Sequence, residues 1–318
     1  EMSDSARLDD PRLGSVLVDS LEGSHVALIG FPFDEGTVLN GGREGGRLGP
    51  EAFRRFLPKM GAAINPEYGV DLRKLRVVEL GDAQGDSAES GREALQALVL
   101  RALTAGALPF CVGGSNDQSY PNASALLAHL SKHKPDARVG VINIDAHLDV
   151  RPPLPDGRHH SGSPFRRLLE DPRFAALGGT FIEFAAQGSQ CAAAHADYVT
   201  SKGGRIEWLS GLRDEHGQSL ALSRFSKALS EAGDHVFVSF DIDSIASSDC
   251  PGVSCPATVG LTAQEALHMC KLAGSHKNVV LMDVSELNPK VEDYRSPRLV
   301  VNMFYSFLLG RAPSLEGR

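Results

Sequence analysis

The sequence predicts an α/β protein built on a mostly parallel sheet with helices on both faces, and two observations carry this prediction. Eight short runs rich in Val, Ile and Phe recur along the chain, separated by segments with the apolar spacing of helices. Several runs are almost continuously apolar, which is typical of parallel strands covered by helices on both sides. The predicted strands lie near residues 26–30, 76–80, 109–112, 139–144, 181–185, 205–209, 236–241 and 279–284.

Three of the intervening helices carry start signals. Pro50 stands at a predicted first helical position, where a backbone N–H would have no partner within the helix, so proline loses no hydrogen bond. Ser90 followed by Glu93, and Thr262 followed by Glu265, both fit the capping-box pattern. Strands and helices therefore alternate, which indicates strands that run in the same direction.

The organisation of the chain indicates a single unit. Its 318 residues contain no low-complexity linker and no internal repeat, so we expect one domain over residues 1–318. An open, doubly wound sheet is the simplest architecture, and an eight-stranded barrel is the alternative. In both, ligands bind at the carboxyl ends of the strands, so functional residues are expected there.

The composition is that of an ordinary globular protein, with 42% hydrophobic and 23% charged residues. The formal net charge is −8 and no basic run interleaves with aromatic residues, so a nucleic-acid partner is not expected. No stretch approaches the roughly 18 apolar residues of a membrane span, and residues 1–11 lack the apolar core of a secretory signal. We therefore expect a cytoplasmic protein with no membrane partner.

The cysteines give no sign of chemistry. Five are scattered along the chain, which fits reduced thiols better than a disulfide framework. Cys250 and Cys255 have the spacing of half a metal site or a redox pair, but no second pair or nearby histidine completes such a site. We interpret them as loop thiols.

The sharpest functional signal follows the predicted strand at 139–144, where Asp145, His147 and Asp149 stand at alternate positions. Alternate positions of an extended backbone point to one side, so two carboxylates and an imidazole converge at the strand's carboxyl end. A purely structural cluster would need a partner for each ionisable group. The pattern favours a divalent metal site.

A second acidic pair, Asp241 and Asp243, ends the predicted strand at 236–241. The combined donor set of four carboxylates and one imidazole suits Mn²⁺ better than the thiolate-rich sets of structural zinc. Four carboxylates are too many for one ion, whereas two divalent cations balance their charge. The two motifs together predict a two-metal hydrolytic site.

Two more strand ends carry polar residues whose roles stay open on sequence alone. Asn116 follows a Gly-Gly turn after the strand near 109–112, and taken singly it is best interpreted as the N-cap of the next helix. Glu286 follows the last predicted strand, just before Pro289, and taken singly it is equally consistent with a solvated loop residue.

These motifs resemble the arginase, agmatinase and formiminoglutamase family of ureohydrolases, binuclear manganese enzymes that cleave C–N bonds of guanidines or amidines. The resemblance implies an open eight-stranded sheet, not a barrel, two Mn²⁺ ions and a homo-oligomer, commonly a trimer or hexamer. The six blocks that carry it are Asn40–Pro50, Gly113–Asp117, Asp145–Asp149, Ser161–Phe165, Ser239–Asp243 and Glu286–Pro289.

The resemblance also implies roles for the site residues. Asp145 and Asp241 would bridge both ions, Asp149 would complete the shell of one, and His147 with Asp243 would hold the other. The family normally has His where this chain has Asn116. An amide oxygen is a plausible but weaker ligand, so one ion is expected to bind less tightly.

A second departure concerns the substrate. Guanidine-cleaving relatives place a His where this chain has Ser161, and the Ser-Gly-Ser-Pro-Phe form resembles the formiminoglutamase branch, which hydrolyses N-formimino-L-glutamate in histidine degradation. The two carboxylates of that substrate call for guanidinium partners, and Arg151 and Arg158 lie in the loop after Asp149. Surface roles are an equal alternative for Arg151 and for Arg158 taken singly, and Arg43, Arg47 and Arg298 are weaker candidates.

The implied mechanism is attack of a metal-bridging hydroxide on the amidine carbon. Glu286 would orient the amidinium, Asp149 would relay a proton to the departing amine, and His160 is a candidate proton donor. Two alternatives stay open: a guanidine ureohydrolase of the arginase or agmatinase type, and a non-catalytic scaffold with an impaired metal site.

Overall fold

The computed structural model describes residues 9–316. Its main sheet has nine strands in the order β1-β5-β2-β6-β11-β10-β7-β8-β9, and every pairing in it is parallel. These strands are β1 (Leu17–Val18), β2 (Val26–Phe31), β5 (Val77–Asp82), β6 (Leu108–Gly113), β7 (Val139–Ile144), β8 (Thr180–Ala186), β9 (Arg205–Trp208), β10 (His235–Asp241) and β11 (Val279–Ser285). A separate antiparallel pair consists of β3 (Ile64–Asn65) and β4 (Val70–Asp71).

The predicted α/β class and the open parallel sheet are therefore confirmed, and the barrel is excluded, because the sheet has two different edge strands, β1 and β9. All eight predicted strands are present. The additional strand, β1, is an edge strand of two residues paired with β5, and two residues are too few for a periodic pattern.

Ten α-helices accompany the strands in the described residues. They are α1 (Glu35–Leu39), α2 (Gly49–Phe56), α3 (Ala88–Thr104), α4 (Ser119–His133), α5 (Pro164–Glu170), α6 (Pro172–Ala176), α7 (Ala193–Ser201), α8 (Ala221–Ala232), α9 (Ala263–Ser275) and α10 (Arg295–Glu316). None of those within residues 9–316 combines the length and hydropathy needed to cross a bilayer. Residues 1–8 of the polar N-terminal stretch lie outside the described part.

The helix start signals are confirmed in two of three cases. Pro50 lies in the first turn of α2, and Thr262 with Glu265 forms a complete capping box on α9. The box predicted at Ser90 and Glu93 is wrong by three residues, because Ser87 caps α3 and Ser90 is its reciprocal partner. The Ser90 hydroxyl accepts the hydrogen bond from the N-cap backbone that a Glu or Gln side chain usually accepts.

The adjacent interior strands β7 and β10 are buried along most of their length, which agrees with their apolar sequences. Their neighbours in the sheet are β8 and β11. Parallel pairing places Phe240 beside Ile144 and Asp241 beside Ser285, so the carboxyl ends of β7, β10 and β11 meet at one edge of the sheet. Polar residues that follow these strands are therefore brought together.

Candidate active site

The acidic residues predicted from the two strand-end motifs lie together. Their ligand atoms form two groups in which all atoms lie within 4.8 Å of one another. One group contains Asp145, His147 and Asp243, and the other contains Asp145, Asp149 and Asp241. Asp145 belongs to both groups, so the two potential ligand sets share one carboxylate.

Backbone geometry fixes these side chains. The backbone N–H groups of His147 and Asp243 donate to Asp145 Oδ1 at 2.7 Å and to Asp241 Oδ1 at 2.9 Å, which folds each motif into a tight turn. Asp149 and Glu286 have left-handed backbone, with φ of 46° and 66°. Such conformations are costly for residues other than glycine and cluster at functional sites.

The electrostatics of the cluster call for cations. Burial, together with neighbouring carboxylates, raises the pKa of Asp149 and of Asp241 well above the ordinary value. Burial also raises the pKa of Asp243, whose Oδ1 is buried without a hydrogen-bond partner. The carboxylate of Asp243 and that of Asp145 raise the pKa of His147, whose Nδ1 lies 3.2 Å and 3.3 Å from them. Buried carboxylates with free lone pairs are suitable ligands for hard divalent cations.

Asn116 lies at the edge of this cluster, and its interpretation as a helix cap is wrong. Its side chain caps neither the short 3₁₀ helix Asn116–Gln118 nor α4. Its Nδ2 instead donates to Asp149 Oδ2 at 2.7 Å and lies 3.5 Å from Asp145 Oδ2. The amide oxygen points away from the carboxylates in this structure.

Glu286 is buried beside the cluster and not solvated. Its Oε1 accepts hydrogen bonds from Thr37 Oγ1 at 2.8 Å and from the backbone N–H of Asn116 at 3.0 Å. Burial raises the pKa of this carboxyl to about 8. Two donors on one oxygen hold the carboxylate in a fixed orientation at the wall of the cavity.

A cavity of about 590 Å³ opens above the acidic cluster. This volume suits a small organic substrate. Ser161 lines it and accepts a hydrogen bond from Asn40 Nδ2 at 3.1 Å. Arg151 and Arg43 also line the cavity, and the guanidinium of Arg43 donates to the carbonyls of Val253 and Ser254 at 2.7 and 2.9 Å.

Two predicted site residues lie away from this cavity. Arg158 is exposed and pairs with Asp156 at 2.8 Å. His160 is buried with both ring nitrogens engaged by backbone: Nε2 lies 3.1 Å from the carbonyl of Pro152, and Nδ1 accepts the N–H of Gly162 at 3.2 Å. We therefore correct the two predictions: Arg158 is not placed to bind a substrate in the cavity, and His160 has no free nitrogen to donate a proton there.

The other arginine candidates separate in the same way. Arg47 lies 3.6 Å from the carboxylate of Asp34, and Arg298 stacks over the ring of Tyr294. Neither lines the cavity, whereas Arg43 does.

Several residues that line the cavity were not predicted as site residues, because no strand-end motif places them there. They are identified only by the cavity that they line together in the folded structure. They are Thr37, Asn40, Ser189, Gln190, Cys191, His195, Ser254 and Cys255. All five cysteines are free, as expected.

An open parallel α/β sheet with a carboxylate cluster at its central strand ends, beneath a substrate-sized cavity, defines a metal-dependent hydrolase. Residues 24–310 match the model of the arginase family. The chain belongs to this family.

Individual relatives agree with this assignment. The chain is 51% identical to Trypanosoma cruzi formiminoglutamase, solved with Mn²⁺, over 96% of this chain and 99% of that one, with a TM-score of 0.89. It is 32% identical to the formimidoylglutamase of Rhodococcus opacus over 93% of this chain and 89% of the relative. Bacillus subtilis formimidoylglutamase, 22% identical with a TM-score of 0.84 over 99% and 96% of the two chains, shares the fold.

The acidic cluster has a consequence for the metal-free protein. Since burial raises the carboxyl pKa values of Asp149, Asp241, Asp243 and Glu286, the folded state holds protons at these groups that the unfolded state releases, and their contribution to stability falls as pH rises. For Glu286 this loss extends from about pH 4.5 to about pH 8.

We therefore expect the increase in melting temperature caused by Mn²⁺ to grow between about pH 5 and about pH 8, because cations replace the bound protons. Calorimetric melts of chelated and Mn²⁺-loaded protein across this range measure it. An increase that is constant or falls with pH would contradict the expectation.

Proposed function

We propose that this protein is a formiminoglutamase that hydrolyses N-formimino-L-glutamate to L-glutamate and formamide, a step of histidine degradation, with two Mn²⁺ ions. The observation that carries the proposal is the pair of ligand groups that share Asp145 beneath the cavity. The names of the relatives support the choice of substrate.

The residues present fit a pair of cations. Asp145 and Asp241 would bridge the two ions, Asp149 would complete one shell, and His147 and Asp243 would hold the other. The unpartnered buried oxygen of Asp243 supports this assignment, since an unpaired buried carboxylate oxygen is costly. When bound, the ions supply Lewis-acid chemistry that makes a hydroxide nucleophile available near neutral pH.

The protein's own side chains orient the substrate and move the proton. Thr37 and the Asn116 N–H hold Oε1 of Glu286, which leaves Oε2 to accept hydrogen bonds from the amidinium and to aim its carbon at the nucleophile. Asp149 faces the same space, and its carboxylate relays a proton to the departing amine.

The side chain at position 161 bears on the choice of substrate. A hydroxyl occupies the position of the histidine found in guanidine-cleaving relatives, which favours an amidine substrate. At the cavity wall, Arg151 and Arg43 offer guanidinium groups to the two carboxylates of N-formimino-L-glutamate.

The direct test is incubation of Mn²⁺-loaded protein with N-formimino-L-glutamate, arginine and agmatine in parallel. We expect formamide and glutamate from the first and no urea from the others. Release of urea at a comparable rate would favour the guanidine ureohydrolase, and absence of bound Mn²⁺ in the purified protein would favour the scaffold.

Arg151 provides a test of carboxylate recognition. Arg151→Ala is expected to raise KM and to lower kcat/KM by about 10- to 100-fold, because a hydrogen bond to a charged group contributes about 1.5–3 kcal/mol. Arg158→Ala is the matched control, since this exposed arginine of the same loop pairs with Asp156. Equal effects of the two substitutions on KM would remove Arg151 from substrate binding.

A further inference from the structure

Two buried hydroxyls lie directly behind Asn116. Ser119 Oγ and Ser285 Oγ each lie 2.9 Å from Asn116 Oδ1, and Asn116 is 1% exposed while both serines are fully buried. The two hydroxyls therefore hydrogen-bond the Oδ1 end of the amide, while its Nδ2 end faces Asp149. We call Ser119 and Ser285 the hydroxyl clamp.

The clamp is anchored to a buried polar network below it. Ser119 Oγ lies 2.9 Å from Ser239 Oγ and 3.3 Å from Asp283 Oδ2, which also accepts a hydrogen bond from Asn122 Nδ2 at 2.7 Å. A hydroxyl has a single proton, so Ser119 has acceptors for that proton whether or not Asn116 takes it. Ser119 can therefore act as a donor or as an acceptor toward Asn116 without leaving its own proton unsatisfied.

This freedom allows two orientations of the amide. In the structure, Oδ1 accepts from the serines and Nδ2 donates to Asp149. After half a turn about the last side-chain bond, the two N–H groups would donate to the two serine oxygens, and Oδ1 would face the carboxylates of Asp145 and Asp149. Facing oxygens repel each other unless a cation lies between them, so the second orientation requires a bound cation.

We propose that the hydroxyl clamp makes Asn116 a reversible metal ligand, which donates its N–H to Asp149 without a cation and turns its oxygen to the cation of the Asp145, Asp149 and Asp241 group. The proposal rests on the proposed function only in that this group holds an ion. Binding of this ion breaks the hydrogen bond from Nδ2 to Asp149, whereas the other ion displaces the contacts of His147 Nδ1 with Asp145 and Asp243.

Ser285→Ala tests the clamp. The turned amide would lose one acceptor, so we expect the affinity of the weaker Mn²⁺ site to fall by about 10- to 100-fold, as is typical for residues behind a metal ligand, while the tighter site stays within about twofold. Calorimetric Mn²⁺ titration and metal content after dialysis measure both sites. Ser285→Thr keeps a hydroxyl and should restore the weaker site.

The matched control is Ser296→Ala, which deletes another fully buried serine hydroxyl whose bond, from the Gly252 N–H, lies outside the cluster. It should leave both affinities unchanged. If the wild type binds two ions and Ser285→Ala leaves both affinities unchanged, the role proposed for the hydroxyl clamp would be overturned. The two-ion centre would then stand. A wild type that binds fewer than two ions would instead overturn the two-ion centre.

A second variant keeps the test decisive if Ser285→Ala folds poorly. In the Asn116→Asp background, either end of the side chain offers an oxygen, so no turn is needed. We expect Ser119→Ala to weaken the second site at least about tenfold with Asn116 and by less than about threefold in the Asn116→Asp background. Equal effects in the two backgrounds would contradict the proposal.

Discussion

Asp241→Ala is expected to abolish turnover at any accessible Mn²⁺ concentration. The carboxylate lies at the end of β10 within the group that also contains Asp145 and Asp149, and in the proposed centre it would bridge the two cations. Charge stabilisation by metal ions contributes several kcal/mol, so the loss should be on the order of 10³-fold or more in kcat.

The experiment needs a control for local structure, because Asp241 Oδ1 also accepts the backbone N–H of Asp243. Asp241→Asn keeps that acceptor and removes only the charge, so it should fold normally and still lack activity. Asp156→Ala removes an exposed carboxylate outside the cluster and should be active. Substantial turnover by Asp241→Ala at saturating Mn²⁺ would overturn the binuclear proposal.

Glu286→Gln is expected to lower kcat/KM by about 10²- to 10³-fold while leaving Mn²⁺ content unchanged, a loss comparable to that of one group that stabilises transition-state charge. The Gln carbonyl can still accept from Thr37 and from the Asn116 N–H. Its NH₂ group would then face the amidinium, so a donor would meet a donor where an acceptor is required.

Thr37→Val tests the hydrogen bond that orients the Glu286 carboxylate, separately from its charge. This substitution deletes one of the two hydrogen bonds to Glu286 Oε1 and keeps the charge, so a loss of about tenfold or less in kcat/KM is expected. Glu286→Gln activity equal to wild type, or loss of Mn²⁺ from that variant, would show that Glu286 does not act on the substrate as proposed.

Much of the fold could be predicted because buried parallel strands have a local signature. Runs such as 139–144 and 236–241 are apolar on both faces, and the two acidic motifs follow them immediately. Since parallel strands end at the same edge, both motifs were expected at that edge, and the pairing of β7 with β10 places Asp145 and Asp241 close together.

The errors arose where the position along the chain does not fix the direction of a side chain. Arg151 and Arg158 lie in one loop, yet one faces the cavity and the other faces solvent. His160 is adjacent to Ser161 but is held by the backbone at Pro152 and Gly162. The hydroxyl clamp could not be foreseen either, because Ser119 and Ser285 are about half the chain apart in sequence and meet only in the folded protein.

The order of the strands has a consequence for how the protein acquires its metal. The cluster and its surroundings draw on the ends of β6, β7, β10 and β11, which adjoin in the sheet but come from positions far apart in the sequence. Such non-local pairings form slowly. Metal binding at the proposed centre is therefore expected only after these strand ends have assembled, so a bound ion would report that the sheet has formed.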